Sequence, residues 1–190
     1  MIEVEIKGVA LSLETAAGLF LPRQADRGTL AMLSLADLAP GMKVLDLGCG
    51  SGLVGLLAAK ICGEENVVLC DIDPLAVDVA RKNALRNGVG GVKIVLSDGF
   101  RALDDAGFDL ILSNPPYQSD FSVAKGFIEK GFNRLKLGGR MMMVTKRRQW
   151  YRNKLAAVFG GVKVREVDGY FVFEAQRRGP SYANRRGFIK

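Results

Sequence analysis

Val44-Leu45-Asp46-Leu47-Gly48-Cys49-Gly50-Ser51-Gly52-Leu53-Val54 begins as a short apolar run, breaks into alternating glycines and resumes as an apolar helical pattern. The stretch predicts a strand, a tight loop and a helix. Gly48, Gly50 and Gly52 carry no Cβ to hold a ligand away from the backbone, and the first N–H groups of the following helix point at whatever the loop holds. Such a loop cradles a nucleoside or a phosphate. The spacing is G-x-G-x-G rather than the G-x-G-x-x-G of dinucleotide folds, and a carboxylate, Asp46, stands just upstream of the first glycine. That carboxylate repels a pyrophosphate and attracts a cation, so the expected ligand is a cationic nucleoside. A glycine-rich turn in an unrelated α/β protein would use the same residues, and a glycine motif alone does not separate the two readings.

Outward from this loop, strands and helices alternate. Before it, Glu3 to Leu13 alternates loosely and suits a short strand or hairpin, and Gly28 to Leu35 reads as a helix that Pro40-Gly41 stops. This segment suits either a cover for one side of a ligand or a simple packing arm. After the loop, Leu53 to Ile61 continues as a helix, and Val67-Val68-Leu69-Cys70 is apolar throughout, as in a strand covered on both faces. Asp71 then sits where a doubly wound sheet places the carboxylate that accepts from ribose hydroxyls, while Asp73 with Pro74 reads as the cap and first position of the next helix. That helix carries Ala76, Ala80 and Ala84 as a small-residue stripe and ends at Gly88. Val92 to Leu96 is a third strand whose end, Ser97-Asp98-Gly99, offers a carboxylate to an adenine amine and a backbone N–H to its ring. Asp98 as a helix cap is the other reading.

Phe108 to Leu112 is the fourth strand and runs into Asn114-Pro115-Pro116-Tyr117. Apolar residues at Ala124, Phe127, Ile128, Gly131 and Leu135 predict a helix that Gly138-Gly139 ends before a fifth strand, Met141 to Val144. Tyr151, Leu155, Val158 and Phe159 mark a further helix. The turn dipeptide Asp168-Gly169 joins Val162–Val167 and Tyr170–Phe173 as an antiparallel hairpin. The resulting expectation is an α/β, doubly wound, mostly parallel seven-stranded sheet with an antiparallel carboxyl-terminal hairpin. Residues 1–190 are expected to form one domain, with 1–40 an amino-terminal arm and covering helix, 41–176 the core and 177–190 a basic tail.

Asn114-Pro115-Pro116-Tyr117 falls on the same sheet edge as the glycine loop. Its chemistry suits a planar amine, whose lone pair is delocalised and poorly nucleophilic. The Asn114 side-chain oxygen and the Pro115 carbonyl are two acceptors that can each take one N–H, turning the nitrogen toward an electrophile. The prolines stiffen the corner, and Tyr117 offers a ring for stacking on an extruded base. A plain strand-closing turn is the alternative.

VLDLGCGSG resembles the first motif of the class I S-adenosylmethionine-dependent methyltransferases, and N-P-P-Y is similar to the motif of those that methylate N6 of adenine, N2 of guanine or the side-chain amide of glutamine. Together with Gly18-Leu19-Phe20, Asp26-Arg27-Gly28-Thr29 and Asp168-Gly169-Tyr170-Phe171-Val172-Phe173, these motifs resemble the "methyltransferase small" group over about residues 18 to 176. The resemblance implies a Rossmann-like fold and S-adenosylmethionine as cofactor, bound by Asp46, Gly48, Cys49, Gly50, Gly52, Asp71, Ile72, Ser97, Asp98, Gly99 and Asn114. It implies catalysis by Asn114, Pro115, Pro116 and Tyr117, and guanine N2 of small-subunit ribosomal RNA as the substrate. Adenine N6, protein glutamine and a non-catalytic RNA-binding module remain as alternatives. The guanine enzymes usually carry an additional amino-terminal domain with no counterpart in these residues, and their motif more often ends in Phe than in the Tyr found here.

Composition narrows the rest. The chain of 190 residues has 27 basic and 20 acidic side chains, for a net charge of +7. Five basic residues and no acid lie in Lys146–Lys154, and five more in Arg177–Lys190; removing these ten leaves 17 basic against 20 acidic, a net of −3. The excess is local, as on a surface that meets phosphates, and Lys146, Arg147, Arg148, Arg152, Lys154, Arg185 and Arg186 are the expected RNA contacts. A solvated helix face and a frayed tail would have the same composition. The chain has no histidine, which removes Ser-His and Cys-His nucleophilic mechanisms, and Cys49, Cys62 and Cys70 lack metal-ligand spacing. The cysteines are expected reduced and buried, with no metal. No apolar run reaches the length of a membrane span and the start lacks a signal-peptide pattern, so the expected location is cytoplasmic.

Overall fold

The computed structural model describes residues 1–14, 27–116 and 121–180. Two short strands, β1 (Ile2–Ile6) and β2 (Val9–Leu13), pair antiparallel as a hairpin. Helix α1 (Arg27–Leu35) leads into an alternating series: β3 (Val44–Leu47), α2 (Leu53–Cys62), β4 (Val67–Asp71), α3 (Pro74–Arg86), β5 (Lys93–Leu96), β6 (Phe108–Ser113), α4 (Phe121–Arg134), β7 (Leu135–Thr145), α5 (Arg148–Phe159), β8 (Lys163–Val167) and β9 (Tyr170–Gln176). The last seven strands form one sheet in the order β5-β4-β3-β6-β7-β9-β8. All neighbours pair parallel except β9, which inserts antiparallel between β7 and β8. This is the topology expected from the sequence.

Strand residues alternate between two cores. Val44, Leu110, Leu112, Met142 and Val144 pack with Met32, Leu33, Leu56, Leu57 and Ala80 of α1, α2 and α3. Leu45, Leu47, Ile111, Met141 and Met143 pack with Ile128, Phe132, Leu155 and Phe159 of α4 and α5 on the opposite face. Both sheet faces are therefore covered, which is why these strands are apolar at nearly every position. Each large side chain so buried contributes about 1.5–3 kcal/mol. Helix α2 lies close on β4 because Gly55 faces Leu69: a Cβ there would stand 2.2 Å from Leu69 Cγ.

The hairpin is attached by side-chain amides. Asn87 Oδ1 accepts from Ser12 N–H (2.9 Å) while its Nδ2 donates to Ser12 O (2.9 Å), and Asn83 does the same with Glu14 at 2.7 and 3.0 Å. Two carboxamides one helical turn apart, Asn83 on α3 and Asn87 at its C-cap, thus present to Ser12 of β2 and to Glu14 just beyond it the donor and acceptor pattern of a neighbouring strand.

Helix α1 ends at Leu35, the last residue of the predicted helical run, and residues 36–42 leave it to cross the end of α2, where Gly41 N–H donates to Cys62 O at 2.9 Å. One boundary differs from the sequence expectation. Helix α4 ends at Arg134, and Leu135 already belongs to β7, opposite Phe108. Gly138-Gly139 does not cap that helix. Gly138 N–H donates to Arg177 O (2.7 Å) and Arg177 N–H to Gly139 O (2.9 Å), so the two glycines pair with the chain leaving β9. The Arg177 guanidinium, counted by composition with the basic tail, caps α4 by donating to the carbonyls of Asn133 and Leu135.

Candidate active site

Four strand ends meet at one edge. In the order β5-β4-β3-β6, the loops after these strands leave the sheet on both sides of β3, where the chain direction of winding reverses and a crevice must open. The crevice is a cleft of about 350 Å³ lined by residues 46–51, 70–73, 97–99 and 114–116, with Thr29 from α1 and Val123 and Phe127 from α4.

The glycine loop is fixed from below. Gly48 and Cys49 N–H both donate to Cys70 O at 2.9 Å, and Gly50 N–H donates to Asp71 Oδ2 at 2.8 Å. Gly48 and Gly50 both have positive φ, and a Cβ at Gly50 would meet nothing within 4 Å, so this part of the loop opens onto free space. Gly52 differs from its expected role. It does not line the cleft; a Cβ there would come within 3.3 Å of Ala80 and Leu56, so it serves the packing of α2 against α3.

Asp46 lines the cleft with only 2% of its surface exposed, and its Oδ2 accepts from Gly55 N–H (2.8 Å) in the first turn of α2. Burial raises its carboxyl to about 7, opposed by that hydrogen bond and helped by the charge of Asp71. Asp71 bridges two loops, accepting from Gly50 on one oxygen and from Asp73 N–H (3.0 Å) on the other. A carboxylate has about four acceptor sites, so each oxygen keeps capacity for a ligand hydroxyl. Asp73 caps α3 through Leu75 N–H at 2.9 Å, with Pro74 at the first position, as the sequence predicts. Ile72 stands 65% exposed at the cleft mouth.

Ser97 is buried and its hydroxyl is spent on the turn, donating to Gly99 O (2.8 Å) and accepting from Ala102 N–H (3.0 Å). The Asp98 carboxylate lies 3.7 Å from Arg101 and caps no helix, because none follows β5. Cys49, Cys62 and Cys70 are buried free thiols, and burial pushes Cys70 up to about 12. Among the described residues no cluster of His, Cys, Asp and Glu could hold a metal, and no helix is long and apolar enough to cross a membrane.

On the other flank, Ser113 Oγ donates to Leu47 O (2.7 Å), tying the end of β6 to the end of β3. Asn114 Nδ2 donates to Thr29 Oγ1 at 3.0 Å, which fixes the orientation of the amide at the edge of the cleft. Pro115 is buried and Pro116 exposed. Tyr117, Arg185 and Arg186 lie outside the described residues. Thr29, Val123 and Phe127 are cleft residues that sequence reading missed. Phe127 fits the core periodicity of α4, yet its ring forms a wall 3.9 Å from a Cβ at Gly48 and 3.2 Å from one at Gly99.

The basic segment divides. Lys146, Arg147, Arg148 and Arg152 are exposed at the carboxyl end of β7 and the start of α5. Lys154 is half-buried and paired with Glu129, so its charge is neutralised within the fold.

The methyltransferase small domain family matches residues 10–174. The chain is 30% identical over 180 residues to ribosomal RNA small subunit methyltransferase C of Pseudomonas putida, covering 92% of this chain and 54% of that protein. It is also 30% identical over 167 residues to YbxB of Bacillus subtilis, covering 85% and 83%. Among solved structures it superposes on the Thermus thermophilus 16S rRNA N2 G1207 methyltransferase RsmC, in complex with AdoMet and guanosine, with a TM-score of 0.83, 28% identity, and coverage of 93% and 50%. The chain spans about half the length of the methyltransferase C proteins it matches. Its sheet order, its glycine loop and its Asn-Pro-Pro corner are those of the class I methyltransferase fold, and the chain belongs to the methyltransferase small domain family.

Proposed function

We propose that this chain is an S-adenosylmethionine-dependent N-methyltransferase acting on the exocyclic amine of an RNA base, with guanine N2 of small-subunit ribosomal RNA as the substrate. The observation that carries this reading is Asn114, held by Thr29 at the edge of a cleft that also contains the glycine loop, Asp46 and Asp71. The relatives named for ribosomal RNA methylation support the substrate class.

The cleft residues fit the cofactor. The backbone at Gly50 opens onto space, and the buried Ser51 hydroxyl finds no partner among the described residues, leaving a polar atom for a ligand to satisfy. Asp46 and Asp71 place negative charge where a sulfonium and an α-ammonium need it, and Asp71 keeps acceptor capacity for ribose hydroxyls. Asp98 would accept from the adenine amine beside Ile72, with Cys49 and Gly99 completing the walls. When bound, S-adenosylmethionine supplies an electrophilic methyl group. Asn114 Oδ1 and the Pro115 carbonyl would each accept one N–H of the substrate amine and turn its lone pair toward that methyl. Thr29 fixes the Asn114 amide, and buried Pro115 holds its carbonyl before substrate arrives. The reaction needs no base before transfer, so alignment does most of the work; good positioning is worth roughly 7–11 kcal/mol.

The test is labelled methyl transfer to RNA and protein fractions from cells lacking this gene, followed by nucleoside mass spectrometry. N2-methylguanosine in small-subunit RNA is the expected product. N6-methyladenosine would change the base, label in protein alone would overturn the RNA substrate, and no label anywhere would overturn the enzyme.

A further inference from the structure

Six described cations lie over aromatic rings, and five of them fall into two kinds. Lys43, Arg134 and Arg177 rest on Phe108, Phe100 and Phe132 and also donate to backbone carbonyls of Ala106, Asp105 and Leu135, so they are anchors of the fold. Lys146 and Arg148 rest on Tyr170 and Phe171 at 4.9 and 5.7 Å and have no carboxylate or carbonyl partner among the described residues. Their ammonium and guanidinium N–H groups are held in place by rings that accept no strong hydrogen bond, so they remain available to an anion. Arg147 lies over Phe121 at 5.2 Å, and Phe121 stacks on Trp150 with centroids 4.3 Å apart and planes 14° from parallel. Phe121, Trp150, Tyr170 and Phe171 are all only half-buried.

This surface adjoins the cleft. Ser113 at the end of β6 pairs in register with Met143 of β7, so Asn114 and Lys146 leave neighbouring strand ends. Helix α4 joins the two places directly, with Phe121 in the aromatic stack and Val123 and Phe127 in the cleft wall.

Resting on the RNA reading above, we propose that Lys146, Arg147, Arg148, Phe121 and Trp150 form a platform for an unpaired stretch of RNA flanking the target nucleotide. Phosphates meet Lys146 and Arg148, and a flanking base extends the pile of Arg147, Phe121 and Trp150. Cations alone would serve a duplex equally well, whereas ring faces meet bases only where these are free of a helix. The enzyme therefore takes its base from a loop or open strand.

Trp150 is the sole tryptophan of the chain, so its fluorescence reports on the platform directly. A 12-nucleotide unpaired RNA should quench it and bind at least tenfold more tightly than a duplex of the same length. Lys146→Glu and Arg148→Glu should each weaken that binding at least tenfold and flatten its salt dependence, while the melting shift given by S-adenosylhomocysteine stays at the wild-type value. Equal affinity for duplex, absence of quenching, equal quenching by poly-glutamate, or unchanged affinity in Arg148→Glu would each overturn the platform. Methyl transfer to RNA without quenching refutes the platform alone; quenching by RNA with methyl transfer only to protein refutes the substrate reading and leaves the platform standing.

Discussion

The two flanks of the cleft are built differently. On the side of β3, β4 and β5, every tie ends on a backbone N–H: two share Cys70 O, and the Asp71 carboxylate takes one from each of two loops. On the side of β6, β7 and α1, the walls are held by side chains, with Thr29 on Asn114, Phe127 against the glycines and a stack of Phe121 on Trp150. Backbone ties survive most substitutions and suit a ligand that stays the same, while side-chain walls can be replaced one by one and suit a substrate that varies.

Asn114→Ala should separate the two flanks most sharply. Cofactor affinity should stay near wild type while transfer falls about a thousandfold or more, on the order of 4 kcal/mol in transition-state stabilisation, as read from kcat and calorimetric titration. Parallel losses in both would show that the flanks are one unit.

Asp46 tests the other flank through pH. Its carboxyl is raised from 3.8 to about 7, chiefly by burial. The folded chain keeps a proton there that the unfolded chain releases above about pH 4, so this contribution to stability is whole at low pH and is lost as pH rises through about 7. Between pH 5 and pH 8 the wild type should lose on the order of 2–4 kcal/mol relative to Asp46→Asn, measured by denaturation. S-Adenosylmethionine should bind more tightly over the same rise, with release of a proton detected by calorimetry in buffers of different ionisation heat.

Thr29→Val should slow transfer about tenfold by removing its hydrogen bond to the Asn114 amide, near 1–1.5 kcal/mol for a lost hydrogen bond, and Thr29→Ser should restore it. The smallest effect belongs to Arg148→Glu. It gives up a cation–π contact but places an acid in the first turn of α5, so stability should move by no more than about 0.5 kcal/mol in thermal denaturation.

What the sequence made legible follows the same division. The glycine loop, the Asp73 cap and the Asp168-Gly169 hairpin are local patterns, and each holds within a few residues of the chain. Asp168 and Gly169 both take the positive φ their turn requires. The side-chain flank was hidden because its partners are distant: Asn114 reaches 85 positions back to Thr29, and Lys154 finds Glu129 on another helix. Gly52 shows the converse: it sits in a motif that suggests ligand contact, yet it is claimed by helix packing, while Ser97 lines the cleft with its hydroxyl spent on its own turn. Leu135 fits the helix period of α4 as well as it fits a strand, and only its seat opposite Phe108 decides.

Asn83 is wholly buried, and besides its two bonds to Glu14 its Nδ2 donates to Ser51 O at 2.9 Å. A single carboxamide thus fastens the hairpin exit and the nucleoside loop to the same point on α3. Stilling the loop at Ser51 should slow hydrogen exchange at the amide of Glu14, giving a remote gauge of cofactor occupancy from a residue that never touches the cleft.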